Sequence, residues 1–220
     1  RHPLLGVVDF TQFDEQFGAG MKISSGFYTV MYKNYCVNNL KYGRQYYDFQ
    51  EGSLMCIAPK QVITLDEAVE RPADAMGWGL FFHPDLIRGT ALGKNIKNYS
   101  FFSYETNEAL HLSEKEERTL FDCVQKINAE LAENIDRHSQ TLLVSNLELL
   151  LNYCTRYYDR QFITRNQANK DLLSKIEAVL SSYFQSADLH EKGLPTVKYL
   201  ADQVFLSPNY LSDLLKRETG

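Results

Sequence analysis

Two hydrophobic periods divide this chain. Up to about Tyr104, apolar residues come in short runs rich in aromatic and β-branched side chains and bounded by Gly, Pro or Asn, which predicts strands. Phe27–Tyr35 is one such run, and Gly52–Pro59 and Met76–Phe82 read as buried strands. Asn38-Asn39 and Tyr42-Gly43 mark turns. From Ser113 the spacing changes to three and four. Leu120, Val124, Ile127, Leu131 and Ile135 predict a helix, opened by a capping box of Ser113 and Glu116. A second helix is expected from about Ser139, burying Leu142, Leu143, Leu147, Leu150, Leu151, Cys154 and Tyr158, so that the two form an antiparallel hairpin. Glu114, Glu116, Glu117, Glu130, Glu133 and Asp136 give the first helix an acidic face, read as solvation. A third helix is expected over Lys170–Phe184, after a polar linker Ile163–Asn169 and before a loop Ser186–Gly193.

The last residues carry the sharpest pattern. Thr196 is placed to cap a short helix whose Val197, Leu200, Ala201 and Val204 share one face. Ser207 then caps a second helix with Pro208 at its first position, where the missing N–H costs nothing, and Gly220 as a C′ residue. That helix buries Tyr210, Leu211, Leu214 and Leu215, and its opposite stripe is Asn209, Ser212, Asp213 and Lys216. Two such helices around Phe205–Leu206 match a helix-turn-helix, and equally a plain helical hairpin. Charge gives the first reading no support. Residues 169–220 hold six Lys and Arg against seven Asp and Glu, where a duplex-binding surface normally has a basic excess.

The 220 residues are enough for two or three modules, and a net charge of −5 argues against a protein that coats nucleic acid or a membrane surface. No apolar run is long enough to span a bilayer, and the start lacks a signal peptide's core, so a cytoplasmic location is expected. Cys36, Cys56, Cys123 and Cys154 are widely spaced, which favours free packed thiols. His2, His83, His111, His138 and His190 are isolated, so the HxH and carboxylate set of a metal-holding barrel is missing. No nucleophile elbow, phosphate loop or HExxH helix occurs either. The expectation is therefore no enzyme, no metal and no cofactor. Tyr28, Tyr32, Tyr35, Tyr42, Tyr46, Tyr47, Phe49 and Trp78 make the first hundred residues unusually aromatic. They fit either a pocket for a small polar effector such as a sugar or simple filling of a small core. Arg44, Tyr46, Trp78 and His83 are the candidate effector contacts.

The string LSPNYLSDLLKRETG at Leu206–Gly220, preceded by LPTVKYLADQV at Leu194–Val204, resembles the AraC/XylS family of bacterial transcription regulators. KYGRQYYDFQEGSLMCIAP at Lys41–Pro59 and GWGLFFHPDLIRGTALGKNI at Gly77–Ile96 resemble members of that family with an amino-terminal sensor. The resemblance implies an α+β chain: a cupin-like β-barrel sensor over residues 1–104, a helical hairpin over 105–165 that makes a homodimer, and a partial DNA-binding domain over 169–220. It implies Asn209, Ser212 and Asp213 as base contacts, with Lys216 and Arg217 suited to phosphate. Asp213 departs from the pattern, since relatives often place a basic residue there. The family carries two helix-turn-helix units, and only the first lies before Gly220, so this stretch is expected to be truncated and to bind double-stranded DNA weakly or not at all by itself. The alternative is a cupin-like small-molecule-binding protein whose helical tail mediates association.

Overall fold

The computed structural model describes residues 2–12, 21–34, 41–42, 45–46, 52–65, 76–105, 108–186 and 193–219. Nine strands lie among them: β1 (Leu5–Asp9), β2 (Met21–Ile23), β3 (Tyr28–Lys33), β4 (Lys41–Tyr42), β5 (Gln45–Tyr46), β6 (Ser53–Ile57), β7 (Ile63–Leu65), β8 (Gly77–Phe82) and β9 (Leu110–His111). Five form one antiparallel sheet in the order β1-β8-β3-β6-β9, and β2-β7 and β4-β5 are separate two-stranded ribbons. Short helices α1 (Pro84–Ile87) and α2 (Ala91–Asn95) follow β8, and a 3₁₀ turn at Ser100–Ser103 leads toward β9.

The register places Leu5, Phe82, Val30, Leu80, Tyr32, Trp78, Leu54, Cys56 and Leu110 on one side of the sheet. All nine are buried in a single core. That side is covered by α3 (Glu114–Ala132) and α4 (Ser139–Thr164), an antiparallel pair whose Leu120, Val124, Ile127, Leu143, Leu147, Leu151 and Cys154 complete the core. Each fully buried leucine of this kind stabilises the fold by about 2 kcal/mol. Burial raises the Cys56 thiol pKa on β6 first of all, and the neighbouring Cys154 thiol of α4 raises it further.

The expected barrel is not present: the five-stranded sheet is open among the described residues. Its β9 edge is closed by side chains instead of by another strand. Gln161 Oε1 accepts from His111 N at 2.8 Å, Gln161 Nε2 donates to Ala109 O at 3.2 Å, and Arg160 donates to His111 O at 2.6 Å. With these three edge groups bonded to α4, that end of the sheet is capped by side chains. The helical hairpin fills the space that the far wall of a barrel would occupy.

Helices α3 and α4 begin as expected, and the helical part differs in detail elsewhere. Glu116 Oε2 accepts from Ser113 N at 2.9 Å, the return half of the capping box. Glu116 is not a solvated acid, however. Its carboxylate takes two bonds from the Arg160 guanidinium, at 2.6 and 3.1 Å, pinning α3 to α4. Helix α3 stops at Ala132, leaving Ile135 74% exposed, and Leu142 faces outward at 47%. The predicted linker at Ile163–Asn169 is helical except at Arg165: α4 runs to Thr164, and α5 (Asn166–Gln185) starts after that single residue. Asn169 is buried and donates to Phe162 O at 2.8 Å, which ties the two helices at their junction. No helix among the described residues is long and apolar enough to cross a membrane.

Candidate nucleic-acid interface

Helices α6 (Val197–Val204) and α7 (Pro208–Thr219) form the predicted pair, separated by three residues. Thr196 Oγ1 accepts from Tyr199 N at 3.1 Å and starts α6. Its end is a left-handed residue, Phe205, at φ 60° and ψ 43°. The N–H groups of both Phe205 and Leu206 reach Ala201 O, which closes the helix as a glycine C′ would. Ser207 then caps α7, its Oγ accepting from Tyr210 N at 3.1 Å. Leu200, Ala201, Val204, Leu206, Tyr210, Leu211 and Leu214 are buried, so the two helices share a core and fix the turn. Val197 is the exception to the predicted face and is exposed.

The polar stripe of α7 is only partly free. Asn209 and Lys216 are exposed, and Ser212 is half-buried. Asp213 accepts from the Tyr104 hydroxyl at 2.7 Å and lies 3.8 Å from Lys216. Arg217 pairs with Asp159 of α4, and its guanidinium lies 5.1 Å from the centre of the Phe162 ring. Of the five residues expected to contact DNA, two are therefore engaged by the sheet-and-hairpin unit. The charge census could not reveal this, because Tyr104 and Asp159 are 109 and 58 residues from their partners.

The deepest contact involves a residue that sequence reasoning missed. Glu108, 0% exposed, sits at the start of α7. Its carboxylate accepts from Ser207 N and from Ser207 Oγ, both at 2.6 Å, and from Glu105 N at 2.8 Å. Desolvation raises its pKa, and the Ser207 bonds act against that rise. The N-terminal end of a helix favours an anion, which further offsets the cost of burying this charge. Beside it, Tyr210 packs between Tyr104 and Phe162, with ring centroids 5.1 and 4.9 Å away. Asn169 donates to Glu218 at 3.3 Å near the other end of α7. Burial raises the Tyr104 pKa first of all, and its bond to Asp213 raises it further.

The candidate effector residues are not brought together. Arg44 lies outside the described residues, and Tyr46 is placed in β5 with nothing to say of its side chain. Trp78 and His83 stand at opposite ends of β8. Trp78 is buried beside Tyr32, at 6.0 Å between rings, and its Nε1 has no hydrogen-bond partner among the described residues. His83 is a cap: its Nδ1 accepts from Asp85 N at 3.2 Å at the start of α1, and its ring meets Phe27 edge-on at 5.3 Å. A cavity of about 10 Å³ lies among Met55, Cys56, Gln61, Phe101, Tyr104 and Tyr158, room for one water molecule. Among the described residues, no three His, Cys, Asp or Glu side chains are grouped to hold a metal ion.

In comparison with known proteins, no protein-family model matches this chain and no curated protein matches its sequence.

Proposed function

We propose that this chain is the effector-responsive part and first DNA-reading unit of an AraC-type transcription regulator. The observation that carries the reading is the α6–turn–α7 unit. Its three-residue turn, serine cap, proline start and shared apolar core are features a helix-turn-helix has, and they support α7 as the recognition helix. Asn209 is exposed on the polar side of that helix, near its N-terminal end, where base-edge contacts are made. An asparagine amide suits the N6 and N7 groups of adenine. The open sheet and its ribbons then form the sensor, for a small polar effector, and the α3–α4 hairpin forms the dimer contact. Phe121, Leu142 and Leu149 are exposed on that hairpin, which supports the last assignment.

The alternative is a small-molecule-binding protein whose carboxy-terminal helices serve only packing and association. The engagement of Asp213 and Arg217 within the chain favours it. Selection of bound duplexes from a random pool separates the two, followed by Asn209→Ala on the selected sequence. The DNA-reading proposal expects a recoverable consensus and a loss of about 10- to 100-fold at one adenine position, the effect of one bidentate contact. With selection run at low salt, where phosphate contacts are strongest, equal binding of the selected sequence by wild type and Asn209→Ala would favour the alternative.

A further inference from the structure

Two non-glycine residues among the described residues hold a left-handed backbone, Lys60 at φ 67° and Phe205 at φ 60°. Lys60 sits in a surface turn with its charged side chain exposed, as a turn residue should. Phe205 is the reverse case. It closes α6, a task that glycine performs without a Cβ penalty, and it carries a large apolar ring that is 57% exposed. Among the described residues, that ring is part of neither the core nor the layer of side chains packed on it. Strain and exposure at one side chain, with little packing inside the chain to offset either, point to a contact outside it.

The position says what that contact is. Within residues 205–209, Leu206 and Ser207 are buried, and Phe205, Pro208 and Asn209 are exposed. The corner between the two helices therefore presents an aromatic ring, a proline ring and the Asn209 amide, at the end of α7 that would lead into a major groove. Two of the three are apolar, and the apolar feature of a major groove is the thymine 5-methyl group. Charge supports the choice. Residues 169–220 hold six Lys and Arg against seven Asp and Glu, so phosphate contacts alone give this unit little hold on DNA. We infer that Phe205 is a specificity-determining residue, which sets its ring against the methyl group of a thymine next to the adenine read by Asn209. This rests on the DNA-reading proposal above and adds to it a second base and an apolar mode of reading it.

The test uses a duplex selected at low salt, in which each thymine is replaced singly by deoxyuridine, which lacks only the 5-methyl group. Affinity is followed by fluorescence anisotropy. Wild type should lose about fourfold at one thymine adjoining the adenine that depends on Asn209, the effect of burying one methyl-sized group. Phe205→Gly, which keeps the left-handed turn, should bind the thymine duplex more weakly and show no further loss at that deoxyuridine. A urea midpoint at or above that of wild type shows that its weaker binding is not unfolding. Equal losses by both proteins at that deoxyuridine, or no loss by wild type at any thymine beside that adenine, would overturn the contact. Asn209→Ala on the same duplex separates the two proposals. If it weakens binding while Phe205→Gly leaves the thymine dependence unaltered, the DNA reading stands without this contact; if it binds as wild type does, both fall.

Discussion

At His111, burial and charge act in the same direction. Desolvation first, then the nearby Arg165 and Arg160 cations, push its pKa from 6.5 down to about 4. The folded chain keeps this imidazole neutral across that interval, while the unfolded chain binds a proton below 6.5. Stability from His111 is therefore fully present above pH 6.5 and is lost as pH falls toward 4, amounting to about 2 kcal/mol at pH 5. Glu108 has the opposite sign. Its raised pKa gives a contribution present below the ordinary carboxyl value and lost as pH rises through the raised one. Comparing wild type with His111→Asn separates the two groups, because Glu108 is common to both. Urea unfolding at pH 7.5 and 5.0 should show wild type losing about 2 kcal/mol more than the variant; equal losses would mean that His111 is protonated in the fold. None of this was legible in the sequence, where His111 was one isolated histidine among five. Its neighbours Arg160 and Arg165 come from α4 and its end, about 50 residues along the chain.

Among the elements, the α6–α7 turn carries a local conflict. Phe205 holds a left-handed conformation, which costs a residue with a Cβ about 1 kcal/mol, and its side chain is 57% exposed. Little packing offsets that cost. Phe205→Gly should therefore raise the urea midpoint at unchanged slope, by about 0.5–1 kcal/mol of stability. A fall in the midpoint would show that the ring stabilises the fold despite its exposure. The element starts were readable because capping is local chemistry: Ser113 with Glu116, Thr196 with Tyr199 N and Ser207 with Tyr210 N are all three residues apart. The linker is the converse case. Its polar residues suggested a loop, and what keeps them helical is the buried Asn169, bonded to Phe162 within the junction and to Glu218 near the chain's end.

For the whole molecule, alternation and phasing identified β3, β6, β8 and the two hairpin helices, but not how they close. A sheet ends where its edge groups find other partners, and here those partners are Gln161 and Arg160, side chains of a helix that reads as an ordinary amphipathic segment. Because α3 and α4 cover the buried side of the sheet, their remaining faces are the part of the hairpin open to a second copy. Leu142 and Leu149 lie seven residues apart on one stripe of α4, at 47% and 41% exposure, with the half-buried Tyr153 one turn further along. Single exposed leucines are common, but a stripe of this kind on a packed hairpin fits the seam of a helix-mediated dimer. A stable dimer needs about 1,000 Å² of total buried surface, so the two leucines would sit near its centre, where charge is poorly tolerated. Leu142→Lys combined with Leu149→Lys should convert a dimer into a monomer by light scattering at micromolar concentration, with the far-UV circular dichroism and thermal midpoint of the monomer unit retained. Wild type that is monomeric at 100-fold higher concentration, or a double variant that remains dimeric, would remove the hairpin as the dimer contact.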